Sequence, residues 1–227
     1  MKGQFKVPTI INAQTLSGAA VFGALSAVMS FFPYLRFPLL PYLRFELAEI
    51  PIMIGTFIYG PIPGIISSIA YWIILNFIGE FQPYGPLMKF LSVLGMIMGA
   101  WGFQVIIKKL GLNLSPRYAY SLMLSMAALV RIIFMTALNY VMLWILLPEF
   151  LGFASTSLST FLGISFQSNM DALMVIMIVT AVFNLIHTIL SGASAYGIVR
   201  IVFYKRSLLK IRTPWLSTLV RNSERSY

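Results

Sequence analysis

The sequence contains no cysteine and only one histidine in 227 residues. A disulfide framework, a cysteine-bound zinc and a thiol nucleophile are therefore excluded. With one histidine and no His-Glu-x-x-His pattern, we expect no metal site of the zinc-enzyme kind. A glycine-rich P-loop and a Gly-x-Ser-x-Gly elbow are also missing. These absences argue against an enzyme, and they favour a binding protein or carrier that has no cofactor of its own.

Charged residues are scarce: they make up 10% of the chain, whereas hydrophobic residues make up 59% and the mean hydropathy is +0.88. A soluble domain carries about 25% charged residues, so the composition indicates a multi-pass protein of the cell membrane. Six acidic residues stand against sixteen basic ones, for a net charge of +10. Because the basic residues lie at the ends of apolar segments, membrane topology explains the charge and nucleic acid is not an expected partner.

Long apolar segments separated by short polar breaks predict an all-α integral membrane protein with six transmembrane helices. We place these helices at 13–32, 48–60, 62–79, 86–107, 118–147 and 171–203. They form one membrane domain over residues 1–204, and a basic cytoplasmic tail follows over residues 205–227. The tail alternates basic and apolar residues, so we expect it to lie on anionic membrane lipids or on a cytoplasmic partner.

Lysine and arginine residues predict the orientation of this bundle. Most of those between and beyond the helices lie before the first helix, between the fourth and the fifth, and after the sixth, and only Arg36 and Arg44 are clear cations of the outward loops. These segments share one side of a six-helix bundle, so both termini are predicted to be cytoplasmic. The opposite, outward side receives three loops, Pro33–Leu47, Gly79–Gly85 and Pro148–Asn169. We expect Glu80 and Glu149 to be solvated there.

The first outward loop carries prolines, which limit its conformations, and aromatic residues and arginines, which can stack on or hydrogen-bond a planar ligand. It is interpreted either as a lid over a ligand or as an anchor at the membrane interface, where tyrosine and arginine are common. The candidate contacts in and near this loop are Tyr42, Leu43, Arg44, Phe45, Glu46 and Tyr84. Lys89, further along the fourth helix, is expected to extend toward the outer interface.

Glu46 and Glu49 stand directly before an apolar run that ends at Gly60-Pro-Ile-Pro-Gly64. Proline fits the first turn of a helix, and a Gly-Pro pair ends one. Two carboxylates are costly to bury in a membrane without partners. The pattern predicts a short membrane helix, residues 49–60, that is entered from a charged loop.

Polar residues recur at helical spacing inside the fifth and sixth helices. The fifth has Arg131, Met135 and Asn139 on one face, and the sixth has Asn184 and His187 spaced by three. If the two faces meet, the amides and the imidazole form a small-molecule site in an apolar container. The alternative is that they hydrogen-bond each other and hold the helices together. For Arg131 we expect a structural pairing, for example with a backbone carbonyl, because an arginine at this depth needs a partner.

The first helix has small residues spaced by four. The two pairs are Ala20 with Ala24 and Gly23 with Ala27. Small residues at this spacing let another helix approach closely. The stripe is interpreted either as packing inside the bundle or as a surface for a partner protein.

The segment 42–51, Tyr-Leu-Arg-Phe-Glu-Leu-Ala-Glu-Ile-Pro, followed by Tyr59-Gly-Pro61 and Gly64, resembles a pattern of the substrate-binding S components of energy-coupling factor (ECF) vitamin transporters. That pattern is Ser-Asp-Ile-Pro followed by Phe-Gly-Pro-Leu-x-Gly. Arg131 to Asn139 and Phe183-Asn-Leu-Ile-His187 are similar to segments of the fifth and sixth helices of these proteins. The riboflavin-binding members resemble this chain most.

The resemblance implies an S component that captures riboflavin, or a related flavin, outside the cell and releases it inside. It implies a transmembrane coupling protein and two cytoplasmic ATPases as partners, so that ATP is hydrolysed on other subunits. It also assigns the small-residue stripe to contact with the coupling protein, the first loop to closure over the ligand, and Asn139, Asn184 and His187 to flavin contacts.

Two residues depart from the pattern of the riboflavin binders. Ala48 replaces a serine, and His187 replaces a lysine. An S component for another vitamin, such as pantothenate or pyridoxine, is therefore an alternative. A structural membrane subunit without a ligand is a second one.

Overall fold

The computed structural model describes residues 12–112, 114–204 and 215–219, and these residues are mostly helical. Two-residue strands β1 (Leu35–Arg36) and β2 (Arg44–Phe45) pair antiparallel in the loop after the first helix. A six-residue π-helix, Val141–Leu146, continues the fifth helix, and a short 3-10 helix covers Trp215–Leu219. The α-helices of this described part are α1 (Ala13–Met29), α2 (Glu49–Tyr59), α3 (Pro61–Ile78), α4 (Tyr84–Leu110), α5 (Pro116–Tyr140), α6 (Pro148–Leu162) and α7 (Asn169–Tyr204).

Four helical segments in the described residues are long and apolar enough to cross a membrane. They are Pro61–Ile78, Tyr84–Leu110, Pro116–Leu146 and Asn169–Val202. The apolar helices α1 and α2 are shorter, with 17 and 11 residues. The prediction of a helical membrane protein is therefore confirmed. The count of six spanning helices and the cytoplasmic termini stay predictions, and most of the predicted tail, 205–214 and 220–227, lies outside the described residues.

The predicted outward loop at Pro148–Asn169 is wrong in part, because most of it forms α6. Pro148 takes the first helical turn, where a missing N–H costs nothing, and Gly163 ends the helix at a φ of +67°. Leu151, Ala154 and Leu158 recur every three to four residues and are buried. They form an apolar stripe that packs against α7.

The turn between α2 and α3 is formed by the Gly-Pro-x-Pro-Gly sequence. Gly60 has a φ of +106°, a conformation that favours glycine, and Pro61 begins α3 directly after it. Gly64 then lets α3 approach α2 closely, since a Cβ at this position would meet the side chain of Thr56. The short helix predicted at 49–60 is confirmed, with its last residue at Tyr59.

Helix α1 packs on α2 and α3, and it divides the predicted small-residue stripe between two environments. Gly23 and Ala27 are buried, and the hydroxyl of Ser67 on α3 donates to the Ala19 carbonyl at 2.9 Å. Ala20 and Ala24 are exposed. Gly23 and Ala27 therefore pack inside the chain, contrary to their assignment to a partner surface, and only Ala20 and Ala24 remain accessible to a partner.

Replacing Gly23 by leucine is expected to lower the unfolding temperature of the detergent-purified protein. A Cβ at Gly23 would lie 2.8 Å from the Ser67 carbonyl oxygen and 2.9 Å from the Ala70 Cβ. Overpacking of this kind typically costs about 1–3 kcal/mol. Ala20→Leu is the matched control on the exposed side of the same helix and should unfold like the wild type. Equal unfolding temperatures for the two variants would contradict the packing of α1 described here.

Candidate ligand-binding site

A cavity of about 360 Å³ lies between the loop that precedes α2, the start of α4, and the facing sides of α5 and α7. Its volume falls in the range of small-molecule sites, about 300–1,000 Å³. Eight of the nine residues predicted to contact a ligand line it: Tyr42, Leu43, Arg44, Glu46, Tyr84, Asn139, Asn184 and His187. The remaining one, Phe45, packs its ring against Phe183 and His187, with centroid distances of 4.7 and 5.7 Å.

Arg131 and Glu49 form a buried, two-pronged ion pair in the wall of this cavity. The Nη1 atom of Arg131 donates to Glu49 Oε2 at 2.6 Å, and Nη2 donates to Oε1 at 2.9 Å. The two residues are 1% and 4% exposed. Paired geometry of this kind strengthens each hydrogen bond and offsets the cost of removing two charges from water. Arg131 is therefore paired, as expected, but with a carboxylate of α2 rather than with a backbone carbonyl.

Three further side chains complete the hydrogen bonds of this ion pair. Ser92 on α4 donates to Glu49 Oε1 at 3.3 Å, and Ser191 on α7 donates to Oε2 at 3.2 Å. The Oδ1 atom of Asn184 accepts from Arg131 Nε at 3.1 Å. The network thus joins α2, α4, α5 and α7, and it keeps both charges supplied with partners in an apolar bundle.

The contacts of His187 determine which ring nitrogen carries its proton. Its Nδ1 lies 3.3 Å from Arg131 Nη2, and its Nε2 lies 3.2 Å from the backbone carbonyl oxygen of Glu46. A guanidinium only donates and a carbonyl only accepts. In these two contacts Nδ1 accepts and Nε2 donates, which is the arrangement of a neutral imidazole with its proton on Nε2, while Glu49 Oε1 lies further away, 3.8 Å from Nδ1. The ring connects the polar network to the end of the loop above it.

The two asparagines line the cavity in different ways. Asn184 uses its oxygen for Arg131, and its amide donates to the Thr180 carbonyl at 2.9 Å. It therefore combines the two roles left open by the sequence, helix packing and cavity lining. Asn139 donates only to the Met135 carbonyl of its own helix, at 2.7 Å, among the hydrogen bonds of the described residues. Its side chain is 8% exposed and does not belong to the ion-pair network.

Two more ion pairs line the cavity on the side of the loop. The Lys89 ammonium contacts Glu46, which is 5% exposed, so the expectation that Lys89 extends to the membrane interface is wrong. Arg44 Nη1 lies 2.8 Å from Glu80 Oε1, and the Arg44 guanidinium also stacks 4.4 Å from the centre of the Tyr34 ring. Glu80 is thus a half-exposed partner of Arg44 rather than a free solvated charge.

Two hydroxyl groups of the cavity wall have no hydrogen-bond partner among the described residues. They are the phenol of Tyr42 and the Oγ1 of Thr180, and both oxygen atoms are buried. Burial raises the pKa of the Tyr42 phenol, so it stays protonated and able to donate at neutral pH. Buried polar groups are normally paired, so these two positions are suited to hydrogen bonds with a bound molecule.

The loop that carries β1 and β2 covers the cavity and is held by apolar contacts. Phe37 and Leu40 are buried in a cluster with residues of α6 and α7. The Tyr42 ring meets the Phe150 ring edge to face at 5.2 Å. Phe37 also packs on Phe183 at 5.5 Å. The loop therefore lies over the cavity, and its closure above a ligand stays a prediction. Aromatic rings line part of the surface around the cavity.

Sequence reasoning missed several residues of this site. Glu49 was recognised only as a carboxylate before a helix, although an apolar chain with one deeply placed arginine required an acidic partner somewhere. Ser92 and Thr180 carry no signal of their own in helices rich in similar residues, and Phe183 was noted only as part of the segment Phe183-Asn-Leu-Ile-His187. Among the described residues, no three histidine, aspartate or glutamate side chains converge on a point that would hold a metal ion.

Residues 14–199 match the family described as ECF transporter, substrate-specific component. This chain belongs to that family. It is therefore a multi-pass membrane protein and the substrate-binding subunit of a transporter, and membership implies association with an ECF energising module.

Two individual proteins are similar to this S component. A solved structure of the S component of a bacterial ECF transporter has a TM-score of 0.61 and 21% identity, over 88% of this chain and 98% of that one. The likeness shows a shared fold. The riboflavin transporter RibU of Staphylococcus aureus (strain TCH60) is 27% identical over 94 residues, which is 40% of this chain. The matched stretch spans half the length of RibU.

The Arg131–Glu49 pair is expected to behave as a single unit in a double-mutant cycle. Glu49→Gln or Arg131→Met alone leaves a buried partner without its counter-ion, a loss of about 3–5 kcal/mol. The double variant removes both charges and should lose less than the sum of the two single losses. Thermal unfolding of the four proteins in detergent gives the comparison. Additive losses would show that the two side chains do not interact.

Proposed function

We propose that this S component binds riboflavin or a closely related flavin. The observation that carries the proposal is the charge balance of the cavity. Each cation of its wall contacts a carboxylate: Arg44 with Glu80, Lys89 with Glu46, and Arg131 with Glu49. The site is therefore built for a molecule without net charge, because adding an unpaired charge to a buried cavity carries a large desolvation cost.

The size and the polar groups of the cavity support a flavin over the alternative vitamins. Pantothenate carries a carboxylate, which has no free cation to meet among the lining residues. Pyridoxine is neutral but is a single small ring, which would leave much of a cavity of about 360 Å³ unfilled. Riboflavin combines a neutral planar ring system, which suits the aromatic walls, with a polar edge and hydroxyls that suit Asn139, Tyr42 and Thr180.

In the proposed cycle the loop over the cavity admits the vitamin from outside and closes above it. Both termini lie in the cytoplasm in this orientation. Release inside is driven by an energising module of one transmembrane coupling protein and two cytoplasmic ATPases, and no step of ATP hydrolysis falls on this chain. The exposed Ala20 and Ala24 of α1 form the surface that meets the coupling protein. The similarity to RibU supports riboflavin as the cargo.

Titration of the detergent-purified protein with riboflavin tests the ligand, with flavin fluorescence as the readout. We expect saturable quenching at one flavin per chain. Asn139→Leu should weaken binding at least tenfold, since about 1.4 kcal/mol corresponds to a factor of ten and a lost hydrogen bond in a buried site costs about 1–3 kcal/mol.

Thr156→Val is the control for Asn139→Leu. The Thr156 hydroxyl, like the Asn139 amide, donates to a carbonyl of its own helix, that of Gly152 at 2.9 Å, and Thr156 lies outside the cavity. It should bind riboflavin like the wild type. An absence of quenching in the folded wild-type protein would refute the flavin assignment, and saturable binding of pantothenate instead would refute the charge argument.

The proposed coupling surface is tested by Ala20→Trp and Ala24→Trp. We expect both variants to bind riboflavin normally but to lose co-purification with the coupling protein and uptake of the vitamin. Leu25→Trp is the control, because Leu25 is also exposed but lies about 140° around the helix from Ala20. Unchanged uptake in the two alanine variants would move the coupling surface away from α1.

A further inference from the structure

The 3-10 helix Trp215–Leu219 docks on the bundle at the end opposite the cavity. The Trp215 ring covers the turn between α2 and α3, where a Cβ added to Gly60 would lie 3.2 Å from Trp215 Cδ1. Thr218 accepts a hydrogen bond of 2.5 Å from Nε2 of Gln104 on α4, and Gln104 is 4% exposed. Trp215 and Leu216 pack on the hydrophobic core cluster that includes residues of α2 and α4. The segment thus touches both helices at once.

Helices α2 and α4 run in the same direction but contact each other only sparsely. At the cavity they are joined by the hydrogen bond of 3.3 Å from Ser92 to Glu49. The docked segment joins them again at Gly60 and Gln104, which lie about 17 Å further along each helix at 1.5 Å per residue. The two helices are therefore linked at both ends, once by the polar network and once by the tail.

We infer that Trp215–Leu219 is a clamp that holds α4 against α2 and thereby restrains the cavity from the opposite end of the bundle. Both helices carry lining residues: Glu49 on α2, and Tyr84, Lys89 and Ser92 on α4. Undocking of the clamp frees one of the two links between them. Among the described residues, the hydrogen bond from Ser92 to Glu49 is then the remaining polar link between α2 and α4. The two helices separate more easily, and a bound molecule leaves more readily.

The part of this inference that concerns ligand release rests on the proposed function, whereas the mechanical part does not. Two readouts therefore test it. Hydrogen exchange followed by mass spectrometry reports on α2 and α4 with no ligand present. The dissociation rate of riboflavin, followed by recovery of flavin fluorescence after dilution, reports on retention.

The absence of cysteine from the chain allows the clamp to be locked selectively. In the double variant Gln104→Cys and Thr218→Cys, the introduced residues are the only two thiols, so an intramolecular disulfide can join only α4 and the tail, whose native side chains contact each other at these positions. The oxidised form should release riboflavin at least twofold more slowly than the same protein after reduction. The reduced form serves as its own control for the two substitutions.

Trp215→Ala removes the contact with Gly60 and is expected to have the opposite effect. Exchange should rise in both peptides, the one around Gly60 and the one around Gln104, and riboflavin should dissociate at least twofold faster. Tyr118→Ala removes an exposed aromatic ring elsewhere on the bundle and should change neither readout. Thr218→Val removes the hydrogen bond from Gln104 and the one that Thr218 donates to the Trp215 carbonyl at 2.7 Å, but it keeps the Trp215 ring. It provides a milder variant if Trp215→Ala does not fold.

Unchanged exchange in α2 and α4 after loss of Trp215 would overturn the clamp, whatever the ligand is. A second outcome is that exchange rises in Trp215→Ala, but neither this variant nor the oxidised Gln104→Cys and Thr218→Cys variant changes its rate of riboflavin release. That outcome would overturn the control of the cavity by the clamp. If riboflavin does not bind at all, the proposed function fails, and the exchange data still decide whether the tail holds α2 and α4 together.

Discussion

The ion pair between Arg131 and Glu49 is the interaction on which the rest of the site depends. Neither charge is stable alone inside an apolar bundle. The need to supply each with partners brings Ser92 of α4 to the same place as Asn184 and His187 of α7. Glu49 stands at the first turn of α2, so the pair also fixes where the short helix begins and where the loop above it must end. The cavity is the space left next to this network.

The cavity obtains its chemical character from the same principle of paired charges. Three cations and three carboxylates line it, and each cation is in contact with an acid. What the wall offers beside these ion pairs is neutral: aromatic rings, the amide of Asn139, and the buried hydroxyls of Tyr42 and Thr180, which have no hydrogen-bond partner among the described residues. A cavity with polar groups but without spare charge favours a neutral polar molecule, and this is the physical basis of the proposal that the ligand is a flavin.

The architecture was largely predictable from the sequence because glycine, proline and apolar length act locally. The Gly60-Pro61 break predicts the end of α2 and the start of α3 close to their observed positions. Helical spacing likewise placed Arg131, Asn139, Asn184 and His187 on the faces that line the cavity. Helix α6 was missed because its serines and threonines look like a loop, although their hydroxyls bond back to carbonyls of the same helix.

Pairings between distant residues could not be predicted in the same way. The sequence shows that Arg131 needs a partner but does not show which of the acids reaches it. Lys89 was assigned to the membrane interface because it lies near the outer end of its helix, and its partner Glu46 is distant along the chain. The burial of Gly23 and Ala27, in contrast to Ala20 and Ala24, depends on which side of α1 meets α3, and a stripe of small residues does not contain that information.

The visible absorbance spectrum of the protein purified in detergent, without added vitamin, tests the central claim most directly. If the cavity holds a neutral flavin with high affinity, the preparation should be yellow, with flavin bands that correspond to about one flavin per chain after denaturation. A colourless preparation that also fails to take up riboflavin on titration would contradict the account. The S component would then bind another neutral molecule in a cavity whose cations and carboxylates are paired.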